Sequence, residues 1–339
     1  MLPFKNAMET KRKPHLRVAV TPECNFNCVY CRMGGEGLPP NGVLMNSGEI
    51  TEVVRIASEL GFKHLKITGG EPTLRRDLFE IISGCSSLDS LNEVQLVTNG
   101  SALTKEYTQK LVDSGLDNIT ISLDAANRDS FRKITERNKF ERVISGIYAA
   151  REAGLSVTIN SVIMQRNKTE IQGLIEIARK TGSRLKLLDY MKVNGNGWET
   201  EYLPFEQLRK DLERKAEGFS WMYPPGGLGT PMPLFKINGT EVMVKDASVG
   251  TNYHETCNAC MNYPCQDALI SLRVTHDGKL KRCLIRDDNL VDVLTPLRRG
   301  DKKEIRKLVL ESYRIFEETK YRPNAWNPEN EKQKIAKEY

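Results

Sequence analysis

The chain has 339 residues, of which 39% are hydrophobic and 28% charged, and its formal net charge is +6. This composition is typical of a folded globular protein with enough chain for one large domain or two smaller ones. No run of about 18 apolar residues predicts a membrane span, and no block of like charge indicates a nucleic-acid-binding tail. Residues 1–20 lack the apolar core of a signal peptide, so we expect a cytoplasmic protein whose thiols stay reduced.

The first part of the chain alternates short apolar runs with amphipathic stretches. We predict six strands, at 16–21, 64–68, 93–98, 118–123, 156–164 and 184–190. Helical patterns lie between them; the first is capped by Ser47 and ended by Gly61, and most of the others end at a glycine. Strands that alternate with helices indicate parallel β-α-β units, and six such units curve into a barrel or part of one. Ligand sites then belong at the C-terminal ends of the strands.

After about residue 200 the pattern changes. The predicted elements are, in order, a helix at 205–219, an irregular turn-rich segment at 220–233, a hairpin turning at Asn238-Gly239, a second hairpin turning at Asp277-Gly278, a helix at 302–320 and a polar tail. We therefore divide the chain into a barrel region at 15–215 and a C-terminal region at 216–339.

The eight cysteines fall into two groups, with Cys85 standing alone. We expect Cys85 to be a small buried residue of a helix. Cys24, Cys28 and Cys31 are spaced C-x3-C-x2-C, and four more cysteines lie between residues 257 and 283. Grouped cysteines in a reducing compartment indicate two metal centres. Three thiolates this close can hold three corners of a cubane iron–sulfur cluster, which leaves the fourth iron open to a small molecule.

Polar and glycine-rich segments follow the predicted strands. They are TGGEPT at 68–73, TNGS at 98–101, SLD at 122–124 and MKVNGNGW at 191–198, in which Trp198 is expected to pack a loop. Gly69 and Gly70 allow a ligand to approach the backbone closely and can take positive φ, while Glu71 offers an acceptor to an ammonium group. The sequence therefore predicts a ligand site at the edge of the sheet that carries the first cysteine group.

Several of these motifs together resemble one enzyme family. LRVAVTPECNFNCVYC, LKITGGEPTLRRDL, LVTNGS, GLDNITISLDAANRDSFRKIT and DYMKVNGNGW are similar, in order and spacing, to the GTP 3′,8-cyclase family of molybdenum-cofactor biosynthesis. This family belongs to the radical S-adenosylmethionine superfamily. The resemblance covers about residues 15–200 and continues more weakly through LRVTHDGKLKRCL. It implies an α/β fold, an incomplete (β/α)6 barrel with a C-terminal auxiliary iron–sulfur region.

The resemblance also implies roles for particular residues. Cys24, Cys28 and Cys31 would bind a [4Fe–4S] cluster whose open iron takes S-adenosylmethionine, and one electron would cleave that cofactor to a 5′-deoxyadenosyl radical. The residues expected to contact S-adenosylmethionine are Tyr30, Gly69, Gly70, Glu71, Thr98, Asn99, Ser122, Asn160 and Met191. With the three cysteines, Arg17, Lys66 and Arg273 are expected to form the catalytic set, lining a pocket suited to an anionic substrate.

The second cysteine group consists of Cys257, Cys260, Cys265 and Cys283. From its spacing alone, structural zinc and an iron–sulfur cluster are both open. The resemblance favours a second [4Fe–4S] cluster. The family has three cysteines there, which leave an iron open to the purine of GTP, whereas Cys265 offers a fourth ligand that would close the cluster. We favour four ligands.

Two departures from the family pattern bear on the substrate. The family has an Arg-x-Arg pair where this chain has Ser271 and Arg273, and it ends in a Gly-Gly tail where this chain ends QKIAKEY. We therefore expect a radical enzyme whose small polar substrate, a nucleotide, nucleoside or sugar, loses a hydrogen atom and then undergoes cyclisation, epimerisation or rearrangement. The alternatives are a genuine GTP 3′,8-cyclase, a peptide-modifying radical enzyme and a non-catalytic zinc-binding module.

The expected partners follow from the same hypothesis. A flavodoxin- or ferredoxin-type electron donor would supply the reducing electron, and a homodimer is one expected assembly. We expect neither a membrane nor a nucleic acid as a partner.

Overall fold

The computed structural model describes residues 13–31, 44–193 and 197–325. At its centre are six parallel strands, consecutive in the chain and adjacent in space: β1 (His15–Ala19), β2 (His64–Thr68), β3 (Glu93–Thr98), β4 (Asn118–Ser122), β5 (Ser156–Ile163) and β6 (Arg184–Asp189). β2 and β3 match the predicted strands residue for residue, and the ends of the others differ by one or two residues. The six predicted parallel strands are confirmed.

Helices connect these strands and cover the outside of the sheet. They are α1 (Ser47–Glu59), α2 (Leu78–Ser86), α3 (Lys105–Asp113), α4 (Arg128–Thr135), α5 (Phe140–Glu152) and α6 (Ile171–Thr181). Their apolar faces and the outward side chains of the strands form the main core. Cys85 on α2 is fully buried in that core, as predicted.

The predicted cap of the first helix is displaced by one residue. Asn46, and not Ser47, is the N-cap, because its side chain accepts the backbone N–H of Glu49 at 2.9 Å. The carboxylate of Glu49 in turn accepts the N–H of Asn46 at 2.9 Å, which completes a capping box. Asparagine and serine both cap helices well. Asn46 is the cap here because Glu49, three positions after it, completes the capping box with its backbone N–H.

The C-terminal region begins with two helices and continues with short strands. Its elements are α7 (Trp198–Glu201), α8 (Phe205–Lys215), β7 (Gly218–Met222), β8 (Met232–Ile237), β9 (Thr240–Lys245), β10 (Gly250–Tyr253), β11 (Ser271–Val274), β12 (Lys279–Lys281), β13 (Val291–Asp292), α9 (Leu294–Arg298), α10 (Lys302–Glu317) and β14 (Lys320–Pro323). Both predicted hairpins are present. At the first turn, Asn238 and Gly239 have φ of 49° and 75°, as a tight hairpin turn requires.

The segment predicted to be irregular is partly regular. Its first residues belong to β7 and its last to β8, which pair antiparallel, while residues 223–231 between them are turn-rich. Proline and glycine in the middle of the segment mark the connection correctly. The short strands at its ends lack the alternation of apolar and polar residues that would predict them.

Strands of the C-terminal region extend both edges of the central sheet. In the described residues the strand order is β13-β12-β11-β1-β2-β3-β4-β5-β6-β9-β8-β7, with β11 parallel to β1 and β9 parallel to β6. A separate pair joins β10 to β14. The large sheet is open, so the incomplete barrel is confirmed. The division at residue 215 stays a prediction, because strands from both sides of it share one sheet.

Two predicted features border residues that the structure does not describe. Residues 194–196 of the MKVNGNGW segment and the tail from residue 326 lie outside the described residues. Trp198 packs as predicted, since its indole N–H donates to the carbonyl oxygen of Tyr190 at 2.9 Å and its ring stacks on Tyr202. None of the helices in the described ranges is long and apolar enough to cross a membrane.

Candidate active site

The first cysteine group lies on the loop that follows β1. Cys24 and Cys31 are exposed and Cys28 is partly buried. The loop is anchored because the N–H groups of Asn27 and Val29 donate to carbonyl groups in the last turn of α4, at 3.2 and 3.0 Å. The three cysteines therefore lie on one anchored loop at the C-terminal end of β1, where the sequence places them.

Gly69 and Gly70 pack directly against this loop. Neither has a positive φ. A Cβ on Gly70 would lie 2.2 Å from the carbonyl oxygen of Glu23, and one on Gly69 would lie 2.5 Å from that of Thr21. Glycine is required here because two backbones meet, and neither residue uses the positive φ that glycine allows. The close approach seen in the structure is to the cysteine loop itself.

Glu71 ties the strand ends together. Its carboxylate is 1% exposed; Oε1 accepts the hydroxyls of Thr98 and Thr73 at 2.5 and 2.6 Å, and Oε2 accepts the N–H of Asn99 at 2.6 Å. Burial raises the pKa of Glu71. The amide of Asn99 also donates to the side-chain oxygen of Asn25 in the cysteine loop at 2.7 Å. The predicted S-adenosylmethionine residues at β2 and β3 thus form one network with the first cysteine group.

A second tie joins the cysteine loop to β4 and β5. The Tyr30 hydroxyl donates to Oδ2 of Asp124 at 2.8 Å, and the N–H of Val162 donates to Oδ1 at 2.7 Å. Burial raises the pKa of Asp124 to about 6. Asp124 was not predicted as a site residue, although its place at the end of a strand gave a signal. It holds Tyr30, and with it the loop between Cys28 and Cys31.

The remaining predicted cofactor residues lie along the same edge. Ser122 and Asn160 are directly opposite each other in the register of β4 and β5. Asn160 and Met191 line a cavity inside the barrel, and the buried Oδ1 of Asn160 makes no hydrogen bond with the described residues. The structure therefore brings Ser122, Asn160 and Met191 to the strand ends with Glu71 and Tyr30.

The cavity has a volume of about 380 Å³ and a strongly cationic wall. Its lining includes Arg17, Lys66, Lys186, Lys245 and Arg273. The register of the sheet places Arg17 between Lys66 on one side and Arg273 on the other. This volume is in the range of small-molecule sites. The cavity suits a ligand that carries several negative charges.

The cations act on one another inside the cavity. Burial, together with the positive charges of Lys66, Lys245 and Arg17, lowers the pKa of Lys186 to about 7. Burial and the neighbouring cations also lower the pKa of His15 well below its usual range. Oδ1 of Asp189 lies 3.9 Å from Nζ of Lys245, and the Asp189 side chain is fully buried. An anionic ligand would relieve the mutual repulsion of these side chains.

Arg273 has a fixed position in this wall. Its guanidinium donates to Oδ1 of Asp267 at 2.9 Å, and both side chains are almost fully buried. The other carboxylate oxygen of Asp267 accepts the N–H of Leu284 at 2.6 Å, next to Cys283. Arg273 is at the cavity, as predicted, and its ion pair also joins β11 to the second cysteine group.

The second cysteine group surrounds a small void of about 40 Å³. All four of its cysteines line this void: Cys257, Cys260, Cys265 and Cys283. Within the described ranges, no three metal-binding side chains converge closely enough for a single ion. A cluster holds its thiolates farther apart than one ion does, so four sulfurs around one void fit a [4Fe–4S] cluster.

Burial raises the pKa of thiols in both cysteine groups. Burial raises the pKa of Cys31 to about 11 and that of Cys265 to about 12, and it raises those of Cys24 and Cys28 as well. Deprotonation therefore depends on the metal, which favours the thiolate strongly. The donor sets of both groups fit iron–sulfur clusters.

Comparison with known proteins identifies the family. The model of the radical SAM superfamily matches residues 18–178. A probable GTP 3′,8-cyclase of Methanococcus aeolicus is 36% identical over 293 residues, which cover 84% of this chain and 90% of that protein. Molybdenum cofactor biosynthesis protein 1 of Drosophila melanogaster is 34% identical over 80% of this chain and 46% of its own length. The chain belongs to the GTP 3′,8-cyclase family of radical SAM enzymes.

Solved structures share the fold at low sequence identity. SuiB of Streptococcus suis, bound to S-adenosylmethionine, has a TM-score of 0.60 and 15% identity, with 83% of this chain and 63% of that chain covered. anSMEcpe with bound AdoMet has a TM-score of 0.58 and 15% identity, with 87% and 83% covered. The predicted family, enzyme class and fold are confirmed. Radical SAM enzymes use S-adenosylmethionine and a [4Fe–4S] cluster, and the cyclases carry a second cluster.

Within this radical SAM enzyme, sequence reasoning missed several site residues. Lys186 and Lys245 line the cavity, and Asp267 holds Arg273. A signal for Lys186 was present, because a lysine between leucines on a central parallel strand breaks the continuous apolar run expected of a strand buried on both faces. Asp267 had no comparable signal, since it lies between short turns.

Proposed function

We propose that this enzyme is a GTP 3′,8-cyclase, in which a radical formed at the first cysteine group acts on GTP held in the cationic cavity. The observation that carries this proposal is the cavity itself, which is lined by cations on β1, β2, β6 and β9 and by Asn160 and Met191. A nucleoside triphosphate carries charge opposite to that of this wall. The relative from Methanococcus aeolicus, whose name gives this reaction, aligns with most of the chain.

The residues of the chain take distinct roles in this proposal. Cys24, Cys28 and Cys31 hold the first cluster, at which S-adenosylmethionine supplies the radical that removes a hydrogen atom from the substrate. The Glu71 network and Tyr30 shape the cofactor site. Arg17, Lys66, Lys186 and Lys245 bind the triphosphate. Because the wall is built on strands of one sheet, these cations are held in place before the substrate arrives.

The second cysteine group would hold the auxiliary cluster. We assign all four thiols, including that of Cys265, as ligands, because they line the same void. The enzyme also needs an external reductant, for which a flavodoxin- or ferredoxin-type protein is suited.

The proposal is tested by anaerobic reconstitution with iron and sulfide, followed by dithionite, S-adenosylmethionine and GTP. We expect release of 5′-deoxyadenosine together with a cyclised guanosine triphosphate product, detected by mass spectrometry. Cys28→Ala should abolish both, while Cys85→Ala, which changes a buried core cysteine, should retain both. Release of 5′-deoxyadenosine without any change in GTP would refute the cyclase proposal and leave the radical chemistry standing.

A second candidate is a related radical enzyme that acts on another anionic nucleotide. Two observations favour it: Cys265 lines the void with the other three cysteines, and Ser271 stands where the family has arginine. A cluster with four protein ligands has no iron left for the purine. The same assay with the other ribonucleoside triphosphates separates the candidates, since this enzyme would then consume one of them in preference to GTP.

A further inference from the structure

One part of the cavity wall carries uncharged hydroxyl groups. Tyr223, Thr230 and Ser271 line the cavity that also contains the cations. The hydroxyl oxygen of each is buried and makes no hydrogen bond with the described residues. Thr230 is 2% exposed and Ser271 is 3% exposed. Three such groups in one cavity are unusual, because buried polar atoms in proteins nearly always have a partner.

The backbone that presents these hydroxyls is held firmly. The N–H of Gly229 donates to the side-chain oxygen of Asn252 on β10 at 3.0 Å, and the N–H of Gly227 donates to the carbonyl oxygen of Pro224 at 3.0 Å. Gly229 has a φ of 107°, and a Cβ there would lie 2.9 Å from the side chain of Ile270. Ser271 is the first residue of β11, in the central sheet. The hydroxyls are therefore placed in advance of any ligand.

The chemistry of these groups differs from that of the cations. A hydroxyl can accept a hydrogen bond as well as donate one, so it can pair with the N–H and O–H groups of an uncharged ligand, which lysine and arginine, as donors only, cannot do. Lys66 and Lys186, in contrast, attract anions. A ligand that satisfies the whole cavity has an anionic part and an uncharged part rich in hydrogen-bonding atoms. A nucleotide has this composition.

We propose that Tyr223, Thr230 and Ser271 form a hydrogen-bonding subsite for the uncharged nucleoside end of the substrate. This inference rests on the proposed function, because it takes the substrate to be a nucleotide. In this proposal the uncharged nucleoside end is recognised by three neutral side chains of the protein. An iron atom of the auxiliary cluster is then not needed for that contact, in agreement with a cluster closed by Cys265.

The test compares two probes on the reconstituted holoenzyme by anaerobic equilibrium dialysis. Inorganic tripolyphosphate engages only the cations, whereas GTP engages both parts of the cavity. Thr230→Val, Ser271→Ala and Tyr223→Phe each remove one hydroxyl with little change in shape. We expect each to weaken GTP binding about fivefold, the worth of one hydrogen bond, and to leave tripolyphosphate binding within about twofold.

Thr251→Val is the matched control. Thr251 also has a buried hydroxyl without a hydrogen bond to the described residues, but it does not line the cavity. Its substitution should leave the binding of both probes unchanged. Unaltered GTP binding in Thr230→Val and Ser271→Ala, or an equal loss for tripolyphosphate, would overturn the proposal. An equal loss would mean that the substitutions change the shape of the cavity.

ATP as a third probe separates the two parts of the nucleoside, since GTP and ATP share the ribose and differ in the base. A loss confined to GTP places the contact at the base, and an equal loss for both places it at the ribose. If no ribonucleoside triphosphate binds more tightly than tripolyphosphate, the subsite is refuted. If GTP binding responds as expected but no cyclised product forms, the subsite stands and the cyclase proposal fails.

Discussion

Substitution of Lys186 by arginine should remove a pH dependence from nucleotide binding. Burial and the charges of Lys66, Lys245 and Arg17 hold the pKa of Lys186 at about 7, far below the usual lysine value. A bound triphosphate brings opposite charge next to the amine and raises its pKa again. Above about pH 7 the amine of Lys186 is mostly neutral in the free enzyme, so nucleotide binding is accompanied by uptake of a proton by Lys186. The affinity for the nucleotide must therefore fall with increasing pH.

The size of the effect follows from the two pKa values of Lys186. If the ligand raises the pKa from about 7 to about 9, the affinity falls about tenfold between about pH 7 and pH 8.5. The phosphates are ionised throughout this window, because their second pKa is about 6. His15, which lies beside these cations, stays neutral because its pKa is lowered. Arginine keeps its charge, so the nucleotide affinity of the Lys186→Arg variant should change less than about twofold between about pH 7 and pH 8.5.

The assay is anaerobic equilibrium dialysis of GTP against the holoenzyme at several pH values and constant ionic strength, because salt screens these charges. Lys186→Gln is the complementary variant: with the same two pKa values it should bind about fiftyfold more weakly than wild type near pH 7 and show no pH dependence. The same slope in wild type and Lys186→Arg would refute the reasoning, because the titrating group would then be another residue.

Two further predictions concern the cysteine groups and the glycines beside them. Cys265→Ala leaves three thiolates, which can still hold a [4Fe–4S] cluster but leave one iron open, so the iron content should stay at about eight per chain, as in Cys85→Ala, and 5′-deoxyadenosine release should persist. The electron paramagnetic resonance spectrum of the reduced auxiliary cluster should change in Cys265→Ala; a spectrum identical to that of the wild type would exclude the fourth ligand. Gly70→Ala should displace the cysteine loop, because its Cβ would lie 2.2 Å from the carbonyl oxygen of Glu23. Iron in the first cluster and 5′-deoxyadenosine release should both be lost, as measured by iron analysis and chromatography. Gly48→Ala, in a helix with its nearest contact at 3.4 Å, should behave like wild type, and an active Gly70→Ala would contradict the argument.

The central strands were predictable because their pattern is local. HLKIT and EVQLVT are short runs bounded by polar or turn residues, and both form strands over the predicted residues. The pairing of β9 with β6 and of β11 with β1 had no local signal. It joins residues far apart in the chain, and such pairing depends on the assembled sheet. For the same reason the hydroxyls of Tyr223, Thr230 and Ser271 could not be foreseen as neighbours.

The site was predictable where a motif fixes the spacing and unpredictable where the fold brings residues together. Cys24 and Glu71 belong to motifs, and the structure places them at one edge. Lys245 lies on a strand that the sequence placed only in a hairpin, so its position at the cavity followed from the sheet alone. The ion pair of Arg273 with Asp267 is a contact of the same kind, between a strand and a turn.

The shared sheet also decides against treating the C-terminal cysteines as a separate module. β11 lies directly beside β1, so Arg17 stands between Lys66 on β2 and Arg273 on β11. Asp267 then connects Arg273 to the backbone next to Cys283. A ligand in the cavity therefore touches a wall contributed by both ends of the chain, and that wall is fixed at one end by the loop of the second cysteine group. A zinc-binding interaction module would have no reason to build its metal site into the wall of a cationic cavity, whereas a radical SAM enzyme that binds an anionic ligand in that cavity does.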